Sequence, residues 1–425
     1  MNKKYLKTNN GLIICLINIP SINTITIGLT VKVGALTENE DEYGIAHYLE
    51  HMMFTNTKKR NEEQIMEEMD TLGATYNAYT SYECTSYYVK GKSESQINLL
   101  ELIFDIFFNS IFLEKYIDRE RNVILEELKS REIYPGTLNF KYAIEQIYTD
   151  RRKVPVIGTI ESINSITLDK LEKFYKKYYS ILRTNLIISG NLNETSILDY
   201  VSKYFNTNIE NYNINYGLLN KKLELIPYDN KKIVHYIESK VEQSIVTIFF
   251  PACSNSSLWK YYFTVLSEIL SGLSTSLLNN SLRTKLGATY NVNSRIVSYK
   301  DTGYFNITFN CNNNKLIESI KETIKILSNL SLELVPKKLL EKAKASIETG
   351  LLFEYEDLGI YYEIELDSYV YDLEPITAEK IKKYINKING DKLQKLCKKI
   401  FTKDNTLIVI QGKEDKTKEI NELFN

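Results

Sequence analysis

Apolar positions recur along this chain with two periods, and the period changes from segment to segment. Thr24–Val33 and Ser244–Phe250 are rich in Ile, Val, Thr and Phe, the composition of strands that pack into a sheet. Glu62–Leu72 and Ala378–Ile388 space their apolar residues three and four apart, which predicts helices with one buried face. Asp118–Arg131 predicts another helix, with Val123, Ile124 and Leu128 as its apolar stripe. Strands and amphipathic helices alternate in both halves, so the expected fold class is α+β, with helices packed on a mostly antiparallel sheet.

The two halves echo each other. Leu-Gly-Ala-Thr-Tyr-Asn occurs at 72–77 and again at 286–291, and Asn185-Leu-Ile-Ile-Ser-Gly190 is answered by Thr406-Leu-Ile-Val-Ile-Gln-Gly412. Two echoes near half-length predict an internal duplication, with one domain over 1–210 and a homologous one over 211–425. The Asn- and Lys-rich stretch 206–230, broken by Gly217 and Pro227, reads as the surface connection between them.

Composition narrows the function classes. A chain of 425 residues exceeds one ordinary core, and 43% hydrophobic with 25% charged residues is ordinary globular composition. A net charge of −1 gives no footprint for nucleic acid. The five cysteines, at 15, 84, 253, 311 and 397, show no paired or C-x-x-C spacing, which favours a reducing compartment over a disulfide framework. The apolar run Gly11–Ile19 faintly resembles a secretory leader, but Asn18 interrupts it and no small-x-small cleavage site follows. No run approaches the roughly 18 apolar residues of a membrane span. The expected location is therefore the cytoplasm.

The chemistry concentrates in His47-Tyr-Leu-Glu50-His51. On a helix, residues four apart share a face, so both imidazoles can reach one metal ion, and Glu50 lies beside them. This H-x-x-E-H order reads as a zinc peptidase site. The remaining histidine of the three, His235, reads as a strand residue without chemistry. A catalytic zinc takes three protein ligands and keeps one open position, so a third ligand is required. Glu120 and Glu127 share a face of the predicted 118–131 helix and Glu126 lies about 100° off it, but acidic residues on a charged helix do not by themselves select one ligand. At the matching place in the second half, Tyr261–Leu270 has no histidine, so one metal site per chain is expected.

With these residues in view the chain resembles the pitrilysin/insulinase family of zinc peptidases. In that family H-x-x-E-H is followed about 75 residues later by a ligand glutamate, with another glutamate seven residues before it. Here the 75 residues 52 to 126 separate His51 from Glu127, and Glu120 stands at the earlier place. Glu50-His-Met-Met-Phe54-Thr-Asn56-Thr-Lys-Lys-Arg60 resembles the family text, with Asn56 where Gly is customary. Asn77-Ala78-Tyr-Thr80 resembles its N-A-x-T strand, and Gly158–Ile163 and Phe174–Tyr179 follow it as well. The customary His-Pro before Gly158 is replaced by Arg151-Arg-Lys-Val-Pro155. The resemblance covers essentially the whole chain.

It implies one Zn2+ per chain held by His47, His51 and Glu127, with Glu50 as general base and Glu120 orienting the ligands. It also implies a peptide substrate bound near Phe54, Asn77 and Ala78. Leu282-Arg283-Thr-Lys-Leu-Gly-Ala-Thr-Tyr290 resembles L-R-E-K-L-G-L-A-Y, from which Arg283 and Tyr290 would reach the scissile carbonyl. The activity so implied is zinc-dependent endopeptidase cleavage of peptides or unfolded segments. The assembly implied is a homodimer or a heterodimer with another two-domain subunit; Arg283 and Tyr290 could act in cis or in trans, and the expectation adopted is action in trans on the partner's site. The alternative is a non-catalytic or partner-dependent subunit of a processing-peptidase-like complex. Such a chain would pair with a partner bearing a glycine-rich loop, which Ser254–Ser281, with Gly272 alone, lacks.

Overall fold

A computed structural model describes residues 1–134, 136–228, 233–357 and 359–424, so positions 229 and 230 of the connecting stretch lie outside the described residues. The chain forms two compact units. The first comprises 1–130, 154–217 and 357–375, and the second 131–153, 218–356 and 376–425.

The first unit is built on a seven-stranded sheet. Its strands are β1 (Asn2–Thr8), β2 (Ile13–Asn18), β3 (Thr24–Val31), β4 (Thr75–Thr80), β5 (Thr85–Lys92), β6 (Thr184–Gly190) and β7 (Ile209–Asn211), in the order β4-β5-β3-β6-β2-β1-β7. Only β2 and β6 pair in parallel. Side chains alternate across a sheet, and the sequence follows that period. Ile25, Ile27, Leu29 and Val31 of β3 face a core made with the helices α1 (Ile45–Met52), α2 (Glu62–Thr71), α3 (Gln96–Phe108) and α4 (Glu114–Ile133). Cys15, Ile17 and Ile187 on the opposite face pack against Tyr362, Leu366 and Val370 of the helix Ile360–Tyr371. Burial on both faces explains why β2, up to Ile17, and the Leu186–Ile188 centre of β6 are continuous apolar runs. A Cβ at Gly28 on β3 would come within 1.9 Å of the Tyr362 hydroxyl, so only glycine leaves room for that ring.

The second unit repeats the plan with five strands: β8 (Val234–Glu238), β9 (Ser244–Ala252), β10 (Val292–Ser298), β11 (Gly303–Cys311) and β12 (Leu407–Gly412), in the order β10-β11-β9-β12-β8. Again one pair, β8 with β12, is parallel. The order matches β4-β5-β3-β6-β2 strand for strand, and the echoed segments at 185–190 and 406–412 are the corresponding strands β6 and β12. Gly73 and Gly287, in the two copies of the hexapeptide, share a left-handed φ of 57° and 56°. The duplication expected from the echoes is present in the topology. In this unit the buried Asn139, from the helix Thr137–Ile147, donates to the Ile245 and Val409 carbonyls at 3.0 and 3.1 Å.

The sequence patterns locate the elements with small differences at the ends. The helix predicted to Ile388 stops at Asn386, where Lys387 caps it. The apolar stripe of α4 needs a correction: Ile117, Ile124 and Leu128 are buried together with Glu120, but Val123 is 47% exposed. It lies one turn before Glu127 on the open side of the helix. Asn56 keeps a negative φ, so the turn after α1 does not use the freedom glycine would give. The five cysteines are buried and free. No helix of the described residues is long and apolar enough to cross a membrane.

Candidate metal centre

The site rests on α1, a helix of only eight residues, and its entry is tightly specified. Gly44 caps it at φ 90°, where a Cβ would also approach the Ile157 carbonyl to 2.5 Å. The carboxylate of Glu38, itself buried, accepts hydrogen bonds from the Gly44 and Ala46 amides at 2.9 and 3.0 Å. It therefore satisfies two of the helix's unpaired donors and places negative charge at the positive end of the helix dipole. Ile45, Ala46, Tyr48, Leu49 and Met52 bury one face, and the Tyr48 hydroxyl donates to the Ile117 carbonyl of α4. That contact ties together the two helices that carry the predicted ligands.

Between them, His47, His51 and Glu127 come together, with one donor atom of each within 4.8 Å of the others. Glu127 Oε2 lies 3.7 Å from His47 Nε2 and 3.6 Å from His51 Nε2. Ligand atoms about 2.0 Å from a tetrahedral zinc sit about 3.3 Å apart, so only small movements separate this donor set from coordination. Two imidazoles and a carboxylate are also the donor chemistry of catalytic zinc sites with an open fourth position. The residues present fit the metal. Among the described residues this is the one cluster of three or more such donors, and the second unit has none.

Glu120 stands behind His51. Its Oε2 lies 3.4 Å from His51 Nδ1, and Arg119 holds its other oxygen while pairing with both oxygens of Glu62 at 2.7 Å. Burial works against a charged His51, but the hydrogen bonds to Glu120 and Glu127 outweigh it and raise the imidazole to about 9. Burial likewise opposes charge on Glu120, yet His51 and Arg119 keep its carboxyl below the usual range. The acidic pair thus holds the His51 ring in place and supplies the negative charge that a divalent cation would neutralise.

Glu50 projects from the same helix and accepts a hydrogen bond from the Thr80 hydroxyl at 2.5 Å. Phe54 follows α1 and packs on Tyr76 and Tyr87, with ring centroids 5.4 and 6.1 Å apart. Asn77 and Ala78 lie on β4, the strand at the end of the sheet, where Asn77 Oδ1 accepts from the Ala78 amide at 2.9 Å. Arg283 and Tyr290 belong to the second unit and meet each other there, the guanidinium 5.1 Å from a tyrosine ring that is 84% exposed. His235 is a buried residue of β8 whose Nδ1 lies 3.0 Å from the Tyr142 hydroxyl. Glu38, Tyr48 and Arg119 were not singled out in the sequence. The acidic run Glu38–Glu42 ahead of Gly44 was the signal available for the first of them.

The chain is similar to known proteins over nearly its whole length. Residues 13–158 match the family described as Insulinase (Peptidase family M16), and 165–347 match the Peptidase M16 inactive domain. A zinc protease of Rickettsia felis, described as uncharacterized, is 30% identical over 95% of this chain and 96% of its own. The zinc protease YmxG of Bacillus subtilis, described in the same way, is 28% identical over 96% and 98%. The mitochondrial-processing peptidase subunit beta of Saccharomyces cerevisiae is 33% identical over 47% of this chain and 43% of its own. Among solved structures, a protease from Helicobacter pylori superposes with a TM-score of 0.84 at 19% identity, covering 97% of this chain and 99% of that one. Its fold is therefore shared. The chain belongs to the insulinase family of peptidases.

Proposed function

We propose that this chain is a zinc-dependent endopeptidase that cleaves peptides or unfolded segments. The observation that carries the reading is the convergence of His47, His51 and Glu127 from two helices, with Glu50 on the same face of α1. His47, His51 and Glu127 hold one zinc ion, and Glu120 fixes the His51 ring through Nδ1. When bound, zinc supplies Lewis acidity, acidifying a water to a pKa near 7 and polarising the scissile carbonyl. Glu50 takes the proton of the attacking water and returns it to the leaving amine. The substrate lies extended along β4 at Asn77 and Ala78, adding a strand through main-chain hydrogen bonds, with Phe54 beside it. Arg283 and Tyr290 act as donors to the oxyanion.

The processing-peptidase relatives are named as subunits, which supports assembly with a second two-domain chain, either a copy or a different partner. The free, buried cysteines fit a reducing setting. Incubation of the purified protein with a mixed peptide set tests the activity. Cleavage that stops on chelation and returns with zinc supports the proposal. A protein that binds no zinc and cleaves nothing contradicts it.

A further inference from the structure

We infer that Thr80 is a positioning residue for Glu50, so that the edge strand along which the substrate is proposed to lie also sets the geometry of the base. This rests on the reading of Glu50 as the general base. The Thr80 hydroxyl donates to Glu50 Oε2 at 2.5 Å, the range of a hydrogen bond to an ionised carboxylate. A glutamate on a helix surface otherwise samples several rotamers, and a fixed donor selects one of them.

The donor is well anchored. Thr80 is the last residue of β4 and pairs with Thr85 across the hairpin. The turn that follows is stapled by Ser81, whose amide donates to the Cys84 carbonyl at 2.8 Å and whose hydroxyl accepts from the Glu83 and Cys84 amides at 3.1 and 3.0 Å. The Ala35 and Leu36 amides in turn donate to the Ser81 and Tyr82 carbonyls at 3.0 and 2.8 Å. The hydroxyl is thus held by backbone on both sides, while the carboxylate it meets comes from a different element.

The consequence is specific. Oε2 is engaged by the Thr80 hydroxyl, which restricts the rotation of the Glu50 carboxylate. Asn77 and Ala78, three and two residues earlier on the same strand, are where the substrate backbone is proposed to bind. A shift of the strand then moves both substrate and base, and their relative geometry is preserved.

Thr80→Val removes the hydroxyl at nearly constant shape. The expected result is a fall in kcat of about 10- to 100-fold, the scale set by misplacing a reacting group, with KM and zinc content little changed. Thr80→Ser keeps the donor and should restore most of the rate. The contact itself is read without substrate by melting metal-free Thr80→Val, Glu50→Ala and the double variant. Non-additive Tm shifts support the coupling. Turnover of Thr80→Val within about twofold of wild type, or additive Tm shifts, would overturn this inference alone if Glu50→Gln is inactive. Retained turnover in Glu50→Gln overturns both it and the reading on which it rests.

Discussion

Replacing Glu38 with glutamine probes how the metal site is pre-organised. The side chain is 7% exposed, and its two oxygens accept the Gly44 and Ala46 amides that open α1. The amide of glutamine keeps one acceptor and turns an N–H toward the other donor. One charge-assisted bond worth about 1.5–3 kcal/mol is therefore lost. The helix dipole loses its counter-charge as well, a further contribution of about 0.3–1 kcal/mol. Together a loss of about 2–4 kcal/mol is expected, or about 30- to 900-fold in the local opening equilibrium. Because α1 has eight residues and carries His47, Glu50 and His51, the loss should fall on the site itself. Hydrogen exchange of the metal-free protein measures it on a peptide spanning 45–52. Protection there should drop by about one to three orders of magnitude, zinc affinity should fall in parallel, and excess zinc should recover protection. Unchanged protection in Glu38→Gln would refute the assignment of Glu38 as the anchor of α1.

Other expectations follow from single contacts. Gly28→Ala drives a methyl group into the Tyr362 ring and should destabilise the first unit by about 1–3 kcal/mol, seen as a lower urea midpoint, while zinc stoichiometry stays at one. Arg119→Met releases Glu120 from its clamp and should weaken zinc binding by about tenfold in a competitive chelator titration, with the fold retained. In the second unit the guanidinium of Arg152 holds the Asp301 carboxyl below the usual range, and it outweighs burial to do the same for Asp150. Both carboxyls are depressed in the folded state, so their contribution is present above about pH 4 and is lost as pH falls through the lowered values. The gap in urea midpoint between wild type and Arg152→Met should therefore be full near pH 6 and narrow as pH falls below about 4.

Much of the site was legible because its key spacings are local. An offset of four between the histidines places both rings on one side of α1, and an offset of seven from Glu120 to Glu127 places both carboxylates on one side of α4. The strands were legible where one or both faces are buried, as in β3 and β9. The error at Val123 came from reading an apolar residue as core on a helix whose buried face includes the charged Glu120. What a linear reading lacks is contact between distant elements. Thr80 meets Glu50 across an edge strand and a helix, and Glu38 reaches back over a turn to cap α1. The helix Ile360–Tyr371 covers the first sheet through Tyr362 and Gly28, a pairing no local pattern announces. Thr80 stands in the Asn77–Thr80 strand motif, but no local spacing pairs it with Glu50.

The central claim is that Glu50 performs proton transfer at a zinc held by His47, His51 and Glu127. Its most direct test is the turnover of Glu50→Gln compared with wild type at equal, measured zinc content. The account predicts one zinc per chain in both proteins and peptide cleavage lost in the variant by at least about a hundredfold. Equal turnover at equal zinc content would contradict it.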